Sequence, residues 1–298
     1  MNQRIVLHVD FDYFYAQCEE IRTPALKTKP VAVCMFSDRG GDSGAIATAN
    51  YTAREFGVKS GLSIQSAKQK LKNRTDSAFL PADFEYYSDM SEKSMNIIKK
   101  FADVFEYVGR VEAYLDVSEK VEQDFVKAGH IAQQIKNEVR EKTKLTCSVG
   151  ISPNKLLSKI ASGYKKPDGL TTITPDKISE FMETLDLGDI HGIGKKTVQK
   201  LVEEGIETIS QAKSLDIFIL INMFGRKAGT YIYNAIRGID DEPVKIRASA
   251  LQLNKIATLK EDSVDYTFLA KSLFELCEKL HASTVSYTHL TLPTICSV

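Results

Sequence analysis

Two short segments hold the carboxylates best placed for metal chemistry. Val9-Asp10-Phe11-Asp12-Tyr13-Phe14-Tyr15-Ala16 closes a run of apolar and mixed residues at 4–10, so Asp10 is expected where a buried strand ends. A carboxylate there, followed by a tight turn, can present oxygen to Mg2+. It can equally cap the helix that follows. In Val111-Glu112-Ala113-Tyr114-Leu115-Asp116, strand alternation puts Glu112, Tyr114 and Asp116 on one face and Ala113 and Leu115 on the other. On a central strand such a carboxylate needs a partner or a metal, because desolvating it is costly. On an edge strand it would be solvated, and both readings are open at this level.

The basic candidates are fewer. Tyr51 and Arg54, three apart, share a helix face, and the arginine fork suits polyphosphate oxygens. Lys166 precedes Pro167, which predicts an extended, exposed loop. Both places could equally be ordinary surface. In Ile190-His191-Gly192-Ile193-Gly194-Lys195-Lys196-Thr197, glycines two apart at a helix start let backbone N–H groups face an anion. No strand precedes them and no third glycine follows, so they are not a dinucleotide fingerprint. A hairpin between two helices that holds a DNA phosphate, without reading bases, fits better. The five histidines (8, 130, 191, 281, 289) have no metal-ligand spacing and are expected to be structural or incidental. No Ser-His-Asp or Cys-His arrangement follows from spacing.

The elements that must position these residues mix strands and helices without a strict βαβ rhythm, which gives an α+β class. Strands are expected at 4–10, 30–36, 107–117 and 145–151, and helices around 16–21, from Tyr51, and at 88–101, 128–142 and 155–161. Residues 175–237 read as a small all-helical domain broken by glycines. Asp240-Asp241-Glu242-Pro243 reads as a polar linker, followed by a strand at 251–259 and an amphipathic helix at 265–280.

The 298 residues are enough for two or three domains. With 39 basic and 39 acidic residues the net charge is zero, a mild argument against a nucleic-acid binder unless basic groups are concentrated locally or a basic segment is missing. The five cysteines are scattered and odd in number, which argues against a disulfide framework and against zinc. No long apolar run and no secretion signal are present, so a reducing cytoplasm is expected. The last 19 residues, 280–298, contain no Asp, Glu, Lys or Arg, where about five would be expected, and they look foreign to the rest.

Six motifs occur in order: Val-Asp-Phe-Asp-Tyr-Phe-Tyr-Ala (9–16), Ala-Thr-Ala-Asn-Tyr-x-Ala-Arg (47–54), Glu-Ala-Tyr-Leu-Asp-Val (112–117), Val-Gly-Ile-Ser-x-Asn-Lys (149–155), Lys-Pro-Asp-Gly (166–169) and Gly-Ile-Gly (192–194). Together they resemble the Y-family DNA polymerases, in the DNA polymerase IV-like branch with archaeal-style features, from about Ile5 to Leu280. The resemblance implies a right-hand polymerase. Its palm would be 1–13 and 82–173, its fingers 14–81 and its all-helical thumb 174–238. A linker at 239–249, a partial little finger at 250–282 and a foreign tail at 283–298 would follow.

It also implies roles. Asp10, Glu112 and the Phe11 carbonyl would hold two Mg2+ ions. Thr48, Tyr51, Arg54 and Lys166 would hold the triphosphate. Tyr13, Phe14 and Tyr15 would line the substrate, with Tyr15 as the steric gate against ribose. Ala45, Ala47 and Gly61 would form a small-residue roof over the new base pair, and Gly192, Ile193, Gly194 and Lys195 would bind DNA. The implied partners are primer–template DNA, deoxynucleoside triphosphates and a sliding clamp, with the protein acting as a monomer.

Two departures stand out. The family pattern Ser-Ile-Asp-Glu is here Gly109-Arg110-Val111-Glu112, so Val111 stands where a metal-binding aspartate belongs. Arg110 is out of place in a strand expected to be buried. Rescue by Asp12 or Asp116 is not expected. The little finger keeps only about its first strand and helix, too little to close a core. Val111 favours a catalytically inactive DNA-binding relic as the alternative to an impaired polymerase. A palm-type nucleotide cyclase shares metal carboxylates, but Gly192–Gly194, Tyr15 and the lack of a Gly-Gly-Asp/Glu-Glu-Phe signature count against it.

Overall fold

A computed structural model describes residues 4–37, 39–246 and 254–285. The strands are β1 (Val6–Phe11), β2 (Val31–Phe36), β3 (Gly44–Ala49), β4 (Ala78–Pro81), β5 (Val104–Gly109), β6 (Glu112–Asp116), β7 (Cys147–Ser152) and β8 (Leu170–Thr172). The helices are α1 (Phe14–Arg22), α2 (Tyr51–Glu55), α3 (Ile64–Lys70), α4 (Phe84–Ile98), α5 (Phe125–Thr143), α6 (Lys155–Tyr164), α7 (Ile178–Glu183), α8 (Lys195–Glu203), α9 (Ile209–Lys213), α10 (Ile217–Phe224), α11 (Arg226–Ala235) and α12 (Tyr266–Val285). Residues 4–24 and 83–246 belong to one compact unit; 25–82 and 254–285 belong to a second.

The first unit is built on a five-stranded sheet in the order β5-β6-β1-β7-β8. β1 is central and antiparallel to both neighbours, while β8 runs parallel to β7. A strand buried on both faces accounts for the nearly unbroken apolar run of β1, in which only Asp10 is half-buried. Helix α6 lies over β1 and β7. Its approach is unusually close: a Cβ on Gly150 would lie 2.0 Å from the Ser158 carbonyl oxygen and 2.4 Å from the Ser162 nitrogen. Only a glycine at this β7 position lets the helix rest on strand backbone.

The other side of α6 joins the helical region. Leu156, Leu157, Ile160 and Ala161 share a core with Met182, Leu187, Ile193, Leu201, Leu220, Ile232 and Ile236. Asn154 caps α6 through the Leu157 N–H at 2.9 Å and donates to the Gly238 carbonyl at 2.8 Å, tying the end of the helical region back to the sheet. Residues 175–237 are helical as expected, and 239–246 carry no regular structure.

Three expectations are corrected. Residues 107–117 are not one strand but a hairpin, β5 and β6, joined by Arg110-Val111, with Gly109 opposite Glu112. The sequence there has no Asn-Gly or Asp-Gly to announce a two-residue turn. Arg110 is therefore exposed at the turn rather than buried in a strand; its guanidinium donates to Ser88 Oγ at 3.1 Å and faces the Phe84 ring. The strand expected at 251–259 is absent from 254–259, and 251–253 lie outside the described residues.

The second unit holds a sheet in the order β3-β2-β4, with β2 antiparallel to β3 and parallel to β4. Ala32, Cys34, Ile46, Ala53, Ile64 and Leu71 pack its core. α12 spans more than the expected 265–280, and none of its described side chains is buried; Tyr266, Phe268, Leu273 and Phe274 are exposed. Residues 283–285 continue α12, and the rest of the foreign-looking tail, 286–298, lies outside the described residues.

Gly150→Ala should lower stability by about 2–3 kcal/mol, because backbone atoms rather than flexible side chains must yield. Urea unfolding measures this; an unchanged midpoint would mean that α6 can lift from β7 at no cost.

Candidate active site

β1 and β6 place Asp10 directly opposite Glu112. The carbonyl of Phe11 follows, and the Phe11 N–H donates to the Val111 carbonyl at 2.9 Å. β6 lies between β5 and β1, so the edge-strand reading of Glu112 falls. Its carboxylate is instead compensated by side chains. His8, on the same face of β1, has Nε2 3.1 Å from Glu112 Oε2 and Nδ1 2.7 Å from Ser162 Oγ. Lys159 Nζ on α6 donates to the same Oε2. These partners pull the Glu112 pKa from 4.5 to about 2: the His8 hydrogen bond contributes most, Lys159 adds to it, and desolvation opposes both. Complete burial lowers the pKa of His8.

Asp10 is compensated in parallel. Lys166 Nζ donates to Asp10 Oδ2 at 2.5 Å and to the Phe11 carbonyl at 3.4 Å. Lys166 is thus half-buried against the carboxylates, not exposed on its loop as expected. Two carboxylates and two ammonium groups balance each other here.

The neighbouring acids are committed elsewhere. Asp12 is buried and accepts from Thr146 Oγ1 at 2.7 Å, Ser148 Oγ at 2.5 Å and the Asp168 N–H at 3.0 Å. These bonds hold the loop that carries Lys166. Asp116 accepts from the N–H of Ser118 at 3.0 Å and from its hydroxyl at 2.5 Å. Among the described residues, no three Asp, Glu, His or Cys side chains converge as a metal site. Asp10, Glu112 and the Phe11 carbonyl are hard oxygen donors and fit a divalent cation; Val111 adds no donor.

The aromatic residues after Asp10 are placed by α1. Tyr13 precedes that helix and donates to Glu20 Oε2 at 3.0 Å. Phe14 is buried, its ring stacked on Phe11 at 5.1 Å. Tyr15 is stacked on Tyr87 at 4.6 Å and meets the edge of Phe84 at 5.9 Å, which fixes its ring. In the second unit, Thr48 lies on β3 opposite Val33, between Ala47 and Ala49. Tyr51 opens α2 behind its Asn50 cap, and the Arg54 guanidinium sits 4.8 Å from the Tyr51 ring centre, as their spacing predicts. Ala45 and Ala47 are on β3, and Gly61 has φ +83 with open space before its α-carbon.

At the glycine hairpin a short 3-10 turn, Leu187–Asp189, precedes α8. Gly192 has φ +88, and a Cβ there would meet the Tyr231 ring at 2.6 Å, so both backbone shape and space require glycine. Ile193 is buried as an anchor, Gly194 caps α8, and Lys195 is exposed on its first turn. A groove of about 760 Å3 runs from Lys159 to Gly194 and includes His191. Sequence reading does not single out His8, Lys159, Ser162 or His191, since it takes the histidines as structural or incidental. The alternation that puts His8 on the face of Asp10 was the available signal.

The fold coincides with that of nucleotide-polymerising enzymes of one family. The impB/mucB/samB family matches residues 9–163, and the DNA polymerase-iota thumb domain matches residues 188–240. DNA polymerase IV of Nitrosopumilus maritimus is 64% identical over 281 residues, covering 94% of this chain and 77% of that protein. A solved Y-family DNA polymerase chimera is 36% identical with TM-score 0.87, covering 93% of this chain and 80% of its own. An insertion ternary complex of Dbh DNA polymerase is 40% identical with TM-score 0.75, covering 80% and 69%. The chain belongs to the Y-family DNA polymerases. It is a DNA polymerase IV-like, DNA-directed DNA polymerase of the translesion class, and its partners are DNA and nucleotides. The family uses divalent metals. Among the described residues, no helix is long and apolar enough to cross a membrane.

Because folding depresses the Glu112 pKa, the carboxylate stabilises the fold above about pH 4.5, and that contribution disappears as pH falls towards 2. Urea midpoints of the native protein should therefore drop more steeply across this window than those of Glu112→Gln. Parallel curves would mean that His8 and Lys159 do not favour the ionised form.

Proposed function

We propose that Asp10, Glu112 and the Phe11 carbonyl hold the two Mg2+ ions of nucleotidyl transfer, and that Val111 leaves the site impaired. The pairing of Asp10 with Glu112 across β1 and β6 is the observation that carries this reading. When bound, the ions would acidify the primer 3′-hydroxyl and neutralise the departing pyrophosphate. Asp10 and Glu112 supply the negative charge that holds them. Lys166, on its tethered loop, gives up Asp10 to bind triphosphate oxygens, and the resemblance gives Thr48, Tyr51 and Arg54 a triphosphate-binding role as well. Tyr13, Phe14 and Tyr15 line the sugar side. The Tyr15 ring, pinned by Tyr87, excludes a 2′-hydroxyl. Ala45, Ala47 and Gly61 leave slack above the base pair, so shape discrimination is weak.

The domain reading follows the resemblance: palm at 1–13 and 82–173, fingers at 14–81, thumb at 174–238, linker at 239–249 and a partial little finger at 250–282. The hairpin Gly192, Ile193, Gly194 and Lys195 takes a DNA phosphate, with Ile193 as its apolar anchor. The enzyme would act in the cytoplasm as a monomer docked on a sliding clamp; its buried thiols Cys18, Cys34 and Cys147 fit a reducing compartment.

The second reading is a silent DNA-binding relic, and the full engagement of Asp12 and Asp116 favours it. Neither carboxylate is available to replace the donor that Val111 lacks. Primer extension with Mg2+ decides between the two readings. Val111→Asp should raise the rate at least about a hundredfold, about 2.7 kcal/mol of barrier. Equal rates would sink the assignment of the site, and silence in both would leave the relic. In any active form, Tyr15→Ala should raise ribonucleotide incorporation at least about tenfold; unchanged sugar selectivity removes Tyr15 as the gate.

A further inference from the structure

Helix α6 is buried on every residue from Asn154 to Ser162 except Lys159, which is half-buried. The side chain of Lys159 joins two places. Its ammonium bonds Glu112 Oε2, and the same residue lines the groove that ends at the glycine hairpin. His191 stands in that groove close enough for Lys159 to depress its pKa, after burial. Asp189 is the one acid among the lining residues described, and it is used by the Asp186 N–H at 2.9 Å. The groove therefore offers one ammonium, an uncharged imidazole and backbone groups, a surface where an incoming anion finds Lys159 as its cation.

The two described donors to the Glu112 side chain, His8 and Lys159, share Oε2. His8 is fixed by burial and by Ser162, whereas Lys159 is on a long, partly exposed stem. Lys159 can leave Glu112 without breaking the fold, and His8 cannot. An ammonium on Glu112 also opposes a divalent cation there, since the cation must compete with a positive charge already in place.

We infer that Lys159 is a positioning residue that couples DNA binding to metal binding: a DNA phosphate entering the groove draws the ammonium off Glu112 and frees the carboxylate for the cation. The inference rests on the proposed metal role of Glu112. Without DNA, Lys159 keeps Glu112 neutralised; with DNA, it becomes a phosphate contact. Such a coupling is reciprocal, so the cation must tighten DNA by the factor by which DNA tightens the cation.

The test is Mn2+ binding by the full chain, read by electron paramagnetic resonance, with and without primer–template DNA ending in a dideoxynucleotide and with no nucleotide added. For the native protein, DNA should tighten Mn2+ about tenfold. Lys159→Met should bind Mn2+ without DNA as tightly as the native protein does with it, and DNA should then add less than about twofold. Lys159→Gln, which keeps a donor for Glu112 but has no charge to transfer, should behave likewise and serves if the methionine variant fails to fold. Weaker Mn2+ binding in the neutral variants would show that Lys159 only holds Glu112 in place, and would overturn the coupling. An undiminished DNA effect in the variants, or no DNA effect in the native protein, overturns it too while leaving Glu112 as a ligand. No Mn2+ bound by any form would remove the metal role of Glu112 and the coupling with it.

Discussion

The contact between the backbone of β7 at Gly150 and helix α6 is the constraint on which the rest of the first unit depends. Gly150 lies opposite His8 in the β1–β7 register, so the space its missing side chain leaves is on the His8 face of the sheet. The helix fills that space with its own backbone, which brings Ser162 to His8 and Lys159 to Glu112. The reverse side of the same helix anchors the helical region through Leu156, Leu157 and Ile160. One close approach thus sets both the carboxylate's partners and the position of the hairpin beyond it.

Charge balance governs the site itself. Asp10 and Glu112 face each other across adjacent strands, and their repulsion is relieved by Lys166 and Lys159. Asp12, next but one to Asp10, solves a different problem: it is buried and saturated by hydroxyls and an N–H, and it holds the Lys166 loop in place. Two aspartates two residues apart, on a strand and just past its end, are thereby separated into one half-exposed and paired with an ammonium and one buried as a tether. The formal neutrality of the chain hides this local organisation, because cations near the site are matched against its own acids before any DNA arrives.

Much of this was legible in the sequence. The α+β class, the helical region at 175–237, the alternation of Glu112, Tyr114 and Asp116 along β6 and the Tyr51–Arg54 pair all follow from periodicity that local structure keeps. What failed did so for physical reasons. The Arg110-Val111 turn has no glycine or asparagine to mark it, and alternation runs straight through it. Lys166 was read as exposed because a pre-proline loop usually is, whereas its burial depends on contacts with Asp10 and Phe11 that are far off in sequence. The partners of Lys159 are entirely tertiary, and alternation puts His8 on the Asp10 face without naming Glu112 or Ser162 as its partners. The short strand expected after residue 250 shows the converse error, a β-like composition that pairs with no strand among the described residues at 254–259.

Val111 is at the two-residue apex of a hairpin, half-buried, beside an arginine already facing outward. A turn apex of this kind tolerates many side chains, so the fold scarcely registers which residue is there. Expression yield, solubility and melting temperature would therefore be blind to the position on which the proposed impairment turns.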